Sequence, residues 1–275
     1  MTSFRFLSYR EFKRELGKTN AVVECAELAV RKFLHEAEMA KDGSAFVQRS
    51  SEEYGVRVDT LDAPLLKRLL AQLHLTTVHQ EFESFLESMM REFRGKAVEL
   101  EKGDSLLKGT LKDAFGSYDA GLKKLGRFEV EIAEYYRLVR NSFAHDGSTA
   151  AAKADISRLR QLLEEQGDES YKRLSAPHAV DSVDFDDFIL FSRISKRLAS
   201  KFCQECRPSN ERIAEMLKEQ DKSSELGIDF SRLGRIRQNE RQLRRTVSNS
   251  LRTLYSLQRD EAEPIVGILV AGLLA

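Results

Sequence analysis

A long run of apolar residues with helical spacing, between residues 62 and 95, constrains the fold more than any other feature. Asp62-Ala63-Pro64 predicts a helix start, because Asp is a favoured N-cap residue and Pro fits the first turn, and Gly95 is a matching stop. The pattern predicts one helix of roughly 30 residues, about 45 Å long, at the centre of the fold. The apolar positions that carry it are Leu66, Leu69, Leu70, Leu73, Val78, Phe82, Phe85, Leu86, Met89 and Phe93.

Composition favours helix along the rest of the chain. There are only 4 Pro and no Trp, while Leu, Glu, Lys, Arg and Ala are abundant, and no convincing strand series occurs. With 275 residues, of which 41% are hydrophobic, the chain is long enough to bury a sizeable core. We therefore predict an all-α fold, an antiparallel helical bundle.

Start and stop signals predict further helices on both sides of the central one. They are Tyr9–Ala40 with a break near residues 17–20, Leu106–Leu125 broken at Gly116 or Gly121, Ala150–Glu165, Phe185–Cys206, Asn210–Gln220 and Asp229–Arg259. The first of these is predicted to direct Val22, Cys25 and Ala29 toward the core. Residues 41–59 are polar and Ser-rich, and they predict a loop.

Two features divide the second half of the chain. An acidic linker that includes Asp168 and Asp184 leads to the predicted helix that starts at Phe185, and the acidic run continues to Asp187 in its first turn; we expect it to cap that helix. Pro208 then predicts a boundary. The organisation expected is a helical bundle over residues 1–206 and a C-terminal helical region over residues 207–275.

The segment Arg140-Asn141-Ser142-Phe143-Ala144-His145 groups an arginine, an amide and an imidazole near the predicted end of a strongly amphipathic helix. Upstream, an apolar stripe recurs at steps of three and four and is predicted to pack on the core; it comprises Phe128, Ile132, Tyr135 or Tyr136, Val139 and Phe143. Arg137, Asn141 and His145 follow at steps of four on another face. Gly147 suits the residue that closes a helix, where the dipole favours a protonated imidazole.

These residue types suit phosphodiester cleavage. Arg140 can stabilise negative charge that develops on phosphorus-bound oxygens, His145 can transfer a proton near neutral pH, and Asn141 can orient the imidazole or bind phosphate. We treat these three as candidate catalytic residues. The alternative is structural: Arg140 pairs with a nearby carboxylate such as Glu134, and His145 is a simple helix cap.

The motif Arg140-Asn141-x-x-x-His145, on a late helix of an all-helical chain, resembles the signature of the HEPN superfamily. Tyr135-Tyr136-Arg137-Leu138-Val139 and the segment 185–191 are similar to stretches of bacterial members. The resemblance implies a helical bundle that dimerises with two motifs facing one cleft and, in many members, a metal-independent endoribonuclease with a toxin or antiviral role. A branch paired with nucleotidyltransferase antitoxins carries Tyr two positions after the His, where this chain has Gly147.

The predicted C-terminal helix is rich in arginine, with eight guanidinium groups against Asp229 and Glu240. In a chain whose net charge is zero, this asymmetry indicates a local basic surface. The residues predicted to bind RNA are Arg137, Arg235, Arg241, Arg244 and Arg245. Because arginine grips carboxylate as well as phosphate, a solvated face or pairing with the acidic linker is the alternative.

Several other features of the sequence resemble sites but have simpler explanations. Cys203-x-x-Cys206 has no second ligand pair and predicts two thiols at a helix end rather than zinc, and Cys25 is expected in the core. His178 has no evident partner in the sequence. The apolar run after Pro264 is too short to span a bilayer and is expected to pack on protein. Three cysteines and no recognisable leader favour the cytoplasm.

The sequence thus predicts a metal-independent endoribonuclease that needs no cofactor or metal. Its expected partners are RNA, a second copy of the chain, and an antitoxin or regulatory protein, with no DNA specificity and no membrane. The alternative is a non-catalytic helical module that binds RNA, a nucleotide or a protein through the same cleft.

Overall fold

The computed structural model describes residues 3–144, 154–220 and 239–274, and this part of the chain is all-helical, as predicted. Twelve helices occur in it: α1 (Leu7–Met39), α2 (Gly43–Tyr54), α3 (Ala63–Arg94), α4 (Leu106–Phe115), α5 (Tyr118–Leu125), α6 (Arg127–Ala144), α7 (Ile156–Gln166), α8 (Glu169–Lys172), α9 (Phe185–Glu205), α10 (Asn210–Gln220), α11 (Glu240–Tyr255) and α12 (Arg259–Leu274).

The long helix expected between residues 62 and 95 is confirmed as α3. Asp62 caps it, since its Oδ1 accepts a hydrogen bond from the backbone N–H of Leu65 at 2.9 Å. At the other end Gly95 takes a positive φ of 74° and donates to the carbonyl of Arg91. The second half of the predicted stripe forms core, since Val78, Phe85 and Leu86 are buried. In the first half the prediction is wrong, because Leu69 and Leu73 are 47% and 63% exposed.

The chain divides into two compact units. Unit 1 comprises Met1–Lys13, Glu83–Gly126 and Arg197–Ala275, and unit 2 comprises Arg14–Phe82 and Arg127–Lys196. Each unit is assembled from segments that are distant in sequence.

Unit 1 has an aromatic core to which the N-terminal segment contributes. Phe4 stacks on Tyr255 with ring centroids 5.8 Å apart, and the backbone N–H of Arg5 donates to the carbonyl of Tyr255 at 2.8 Å. The start of α1 is held by Glu92, whose carboxylate accepts from the N–H groups of Leu7 and Ser8 at 2.9 and 2.8 Å. Glu92 therefore serves as a cap supplied from a different helix.

The apolar C-terminal run belongs to this core as well. Ile265, Val266, Leu269 and Val270 of α12 are at most 1% exposed, and α12 packs on α10 and α11. The expectation that this run packs on protein is confirmed. No helix in the described ranges has the length and apolar character needed to cross a membrane.

Unit 2 contains α6 and the first half of α9, and buried side chains of both helices belong to its core. Tyr136 and Phe191 are buried with ring centroids 5.1 Å apart, and Ile132, Phe188 and Ile194 are fully buried. This packing fixes which face of α6 is turned inward and which remains accessible.

Three sequence predictions in the first sixty residues are wrong. α1 runs without the break expected near Gly17, because a glycine inside a helix weakens it without ending it when the flanking turns pack. Its buried face carries Leu16 and Val23, whereas Val22 is 69% exposed and Cys25 is exposed.

Residues 43–54, expected to be a loop, form α2. Asp42 caps this helix by accepting from the N–H of Ala45 at 3.0 Å, and Gly55 closes it with a φ of 66°. Val47 is its buried residue. One buried apolar side chain gives too weak a periodic signal to predict the helix. The sequence features that could have indicated it are its two cap residues, Asp42 and Gly55.

The later helices follow the predictions closely. The expected break between α4 and α5 lies at Gly116, which has a φ of 82°. The predicted arginine-rich helix is divided: α11 ends at Tyr255, where Ser256 takes a left-handed φ of 59°, and α12 begins at Arg259. The earlier part of that prediction, residues 229–238, lies outside the described residues.

Candidate active site on helix α6

Helix α6 presents the predicted apolar stripe to the core of unit 2. Phe128, Ile132, Tyr136 and Val139 are each at most 1% exposed. Phe143, the last stripe position, is only half-buried. The stripe fixes the rotation of α6, so the residues between its members are held at defined positions around the helix.

Arg140 and Asn141 lie in the last described turn of α6, and both are half-buried. One terminal nitrogen of Arg140 donates to the side-chain oxygen of Asn141 at 2.9 Å. The structure thus brings two of the three candidate catalytic residues into direct contact. His145, the third, follows the last residue of α6 and lies outside the described residues.

Arg137 stands one turn before Asn141 and is also half-buried. Its Nε donates to Glu134 at 2.8 Å, three residues earlier on the same helix. Glu134 and Arg140 each take part in a further interaction, so this ion pair leaves the structural alternative for Arg140 open. Arg137 therefore has a partner within α6 as well as partial access to solvent.

A second polar group, not predicted from the sequence, includes Tyr136, which lies on α6 one turn before Arg140. The fully buried carboxylate of Asp187, in the first turn of α9, accepts from the Tyr136 hydroxyl at 2.8 Å and from Nδ1 of His178 at 2.7 Å. It also accepts from the backbone N–H groups of His178 and Asp184, both at 2.9 Å. We call these three side chains, Tyr136, His178 and Asp187, the Asp187 cluster.

The cluster corrects the interpretation of His178 as a residue without a partner. The partner lies nine residues ahead, beyond the turn at residues 176–182, so no local spacing could reveal it. The expected capping role of the acidic linker is confirmed: Asp184 accepts from the N–H of Asp186 at 2.8 Å, while Asp187 accepts from the N–H of Asp184. Asp184 therefore caps the second N–H of α9, and Asp187 in turn holds the backbone of Asp184.

Electrostatics in the cluster follow from this geometry. The hydrogen bond that His178 donates to Asp187 raises the pKa of His178, because the carboxylate stabilises the imidazolium, and burial opposes this effect only in part. Burial next to the same carboxylate raises the pKa of Tyr136 well above its ordinary value. Tyr136 therefore stays a hydrogen-bond donor at any physiological pH.

His178, Asp184 and Asp187 also have the ligand types of a metal site, and their donor atoms lie within 4.8 Å of one another. Each oxygen of Asp187, however, already accepts two hydrogen bonds from the protein. These bonds occupy the lone pairs that a cation would require. We therefore assign the group to hydrogen bonding.

The arginines predicted to bind RNA differ in their contacts. Arg244 is paired with Glu240 at 2.9 Å and Glu263 at 3.3 Å, so its acidic partners come from the C-terminal region itself. Arg241 and Arg245 are exposed and form no ion pair with any described residue. Arg235 lies outside the described residues.

Neither the cysteine pair nor the groove beside α2 contributes to the predicted site. Cys203 and Cys206 are buried thiols, and burial raises the pKa of each to about 12, which suits core residues rather than metal ligands. The groove, of about 1120 Å³, lies between α1, α2 and the start of α3. None of the described site residues lines it.

Comparison of the chain with protein-family models, with curated proteins and with solved structures gives no match.

Proposed function

We propose that the chain is a metal-independent endoribonuclease of the HEPN type. The observation that carries the proposal is the contact between Arg140 and Asn141, half-buried on the accessible side of a helix whose apolar stripe is packed. A guanidinium and an amide in contact can bind a phosphate together by charge-assisted hydrogen bonds. His145 follows in the sequence at the spacing of the motif.

The chemistry proposed is transesterification by the ribose 2′-hydroxyl. One imidazole removes the 2′-hydroxyl proton, the 2′-oxygen attacks phosphorus, and the 5′-oxygen leaves with a proton, which gives a 2′,3′-cyclic phosphate. Arg140 stabilises the charge on the non-bridging oxygens, and Asn141 orients the imidazole or the phosphate. His145 is the proposed proton-transfer residue of the motif.

The proposal includes a homodimer, because two copies of the motif across a twofold axis supply both a base and an acid. It also includes RNA contacts from the arginines that the sequence predicts, which are Arg137 in unit 2 and, separately, Arg235, Arg241, Arg244 and Arg245 in unit 1. The activity belongs in the cytoplasm, where free thiols such as those of Cys203 and Cys206 stay reduced. A toxin or antiviral role, with an antitoxin or regulatory partner, completes the proposal.

The experiment compares purified wild type, Arg140→Ala and His145→Ala on total RNA in the presence of a chelator. We expect wild type to cut RNA and to leave 2′,3′-cyclic phosphate ends, and both variants to lose activity about a hundred- to ten-thousand-fold. Arg158→Ala is the matched control, because Arg158 is an exposed arginine of unit 2 that pairs with Glu131. Full cleavage by His145→Ala would overturn the assignment.

One observation favours the second candidate, a binding module. The groove between α1, α2 and α3 is larger than a typical small-molecule site and has apolar walls that include Leu34, Val47 and Leu61. Met39 and Tyr54, which belong to the same two helices, are 72% and 75% exposed. A protein that binds RNA or a partner without turnover, with binding retained in Arg140→Ala, would fit this candidate.

A further inference from the structure

A small cavity of unit 2 lies where α1, α3 and the start of α9 meet, and its volume is about 270 Å³. Because a water molecule occupies about 30 Å³ of the liquid, the space suits a ligand of roughly nine non-hydrogen atoms. None of the catalytic residues proposed above lines it. The side chains that line it include Glu27 and Arg31 of α1, Lys67 and His74 of α3, and Asp184 and Phe185 at the start of α9.

Arg31 supplies the cavity with a guanidinium that is held by two contacts. Its Nε donates to Glu27 at 2.7 Å, and its guanidinium carbon lies 5.5 Å from the centroid of the Phe185 ring. The ion pair comes from α1 and the ring from α9, so the planar group is fixed from both sides. The terminal nitrogens of Arg31 form no hydrogen bond with any described residue. They can therefore donate a forked pair of hydrogen bonds to a carboxylate.

Lys67 and Asp184 place opposite charges on this cavity without pairing with each other. Lys67 forms no hydrogen bond or ion pair within the described part of the chain. Oδ1 of Asp184 accepts from the N–H of Asp186 at 2.8 Å and lies 3.5 Å from Nδ1 of His178. Its Oδ2 accepts no hydrogen bond from residues that the structure describes, and 48% of the side chain is exposed. A ligand that carries both a negative and a positive group can bridge these two charges.

His74 adds a polar group that carries no charge. Burial lowers the pKa of His74, and the nearby carboxylate of Glu27 opposes this effect only in part, so the imidazole is neutral at neutral pH. Its ring packs edge-on against Phe188 with the centroids 5.6 Å apart. The ring nitrogens form no hydrogen bond with a described residue, so one can donate to a ligand and the other can accept from it.

The balance of charge decides which class of ligand the cavity fits. The cations of Arg31 and Lys67 are matched by the carboxylates of Glu27 and Asp184, so the lining has no net charge. A phosphate or another simple anion would lie beside carboxylates that repel it. A metal ion is disfavoured as well, because Glu27, His74 and Asp184 do not gather their ligand atoms into one cluster. A zwitterion satisfies both signs of charge.

We propose that this cavity binds a free α-amino acid. The carboxylate of the ligand accepts hydrogen bonds from Arg31 and Lys67, and its ammonium donates to Asp184 and to the oxygen of Glu27 that Arg31 does not occupy. His74 and the edge of Phe185 contact the rest of the ligand. The volume suits an amino acid of about the size of leucine. This binding site does not depend on the proposed nuclease, since the two have no residue in common.

The first experiment adds each of the common L-amino acids separately, at millimolar concentration, to the purified full chain. A ligand that binds only the folded state stabilises it, so we expect at least one amino acid to raise the Tm in a saturable way. Two analogues of that amino acid, one without the ammonium and one without the carboxylate, are the decoys. Each decoy should bind at least about tenfold more weakly in calorimetric titration, because charged groups of the site lose their partner.

Variants then locate the bound amino acid. Lys67→Gln and Asp184→Asn should each raise the Kd about tenfold or more. Asn is also a good cap residue, so Asp184→Asn removes the charge and keeps the oxygen that caps α9. Lys32→Gln is the matched control and should bind as wild type does, because Lys32 is an exposed lysine of α1 that pairs with Glu36 and does not line the cavity.

The proposal is overturned if no amino acid raises the Tm of wild type, or if either decoy binds as tightly as the amino acid. Loss of binding in Lys67→Gln with full binding in Asp184→Asn would contradict it too, because Lys67 also lines the larger groove beside α2 and Asp184 does not. The decoys are measured on wild type, so this readout stands even if a variant does not fold. None of these outcomes involves RNA cleavage, which keeps the test separate from that of the nuclease.

Discussion

The hydroxyl of Tyr136 donates a 2.8 Å hydrogen bond to the carboxylate of Asp187, and both side chains are fully buried. This bond joins the motif helix α6 to the start of α9. Because the acceptor is a buried carboxylate, the bond is of the kind that contributes most to stability.

Removal of the Tyr136 hydroxyl tests how much this hydrogen bond contributes to stability. We expect Tyr136→Phe to lower the free energy of unfolding by about 2 kcal/mol, since a buried carboxylate loses one of its four donors. Urea denaturation monitored by circular dichroism measures the change. Tyr54→Phe, at a position 75% exposed, should stay within about 0.5 kcal/mol of wild type. Equal effects of the two substitutions would contradict the structural assignment.

The raised pKa of His178 makes stability depend on pH with a defined sign. Below its ordinary value of 6.5 the imidazolium is present in both folded and unfolded chains, and its bond to Asp187 contributes in full. As the pH rises through the higher folded-state pKa, this contribution is lost. The gap in unfolding free energy between wild type and His178→Gln should therefore shrink as the pH rises above the ordinary value of 6.5 and through the higher folded-state pKa. A gap that stays constant, or widens, would argue against the pair.

The cap that Glu92 supplies to α1 gives a third prediction. Glu92→Ala leaves the N–H groups of Leu7 and Ser8 without their acceptor and should cost about 2–4 kcal/mol in urea unfolding. Glu92→Gln keeps one acceptor oxygen and should cost less. Glu87→Gln on the same helix, whose carboxylate forms an exposed pair with Arg91, serves as control and should change stability little.

The contacts of the C-terminal arginines predict unequal roles in RNA binding. Replacement of Arg241 and Arg245 together by Ala should weaken binding to single-stranded RNA and lower the slope of log affinity against log salt by about 1.4, or about 0.7 for each phosphate contact. Arg244→Ala should have a smaller effect, because Arg244 is already paired with Glu240 and Glu263. Fluorescence anisotropy over a salt series measures both. An unchanged slope in the double variant would mean that this face is only solvated.

Substitution of two glycines by alanine tests the helix boundaries that the sequence did not determine. Gly17→Ala in the middle of α1 has open space for its methyl group and should stabilise the protein by about 0.5–1 kcal/mol. Gly116→Ala, at a φ of 82° between α4 and α5, should destabilise it by about 1 kcal/mol, since L-residues avoid this conformation. Thermal unfolding of the two variants should therefore shift in opposite directions.

By itself the sequence determined the helical class, the long central helix and the inward face of α6, because each depends on apolar residues that repeat with the period of a helix. It also placed Arg140 beside Asn141 and indicated the capping role of the acidic linker, since these interactions join residues a few positions apart. At α2 and along α1 the apolar periodicity was weak, and the local sequence patterns there gave wrong predictions.

Only the tertiary structure decided which segments share a core and which polar groups meet. The partners of Asp187 come from α6 and from a turn nine residues before it, and the cap of α1 comes from a residue more than eighty positions away. Such pairs depend on how helices pack, and packing is a property of the whole chain that no window of sequence contains. The orientation of the His178 ring is an example, because helix packing and the turn before α9 bring a buried carboxylate against it.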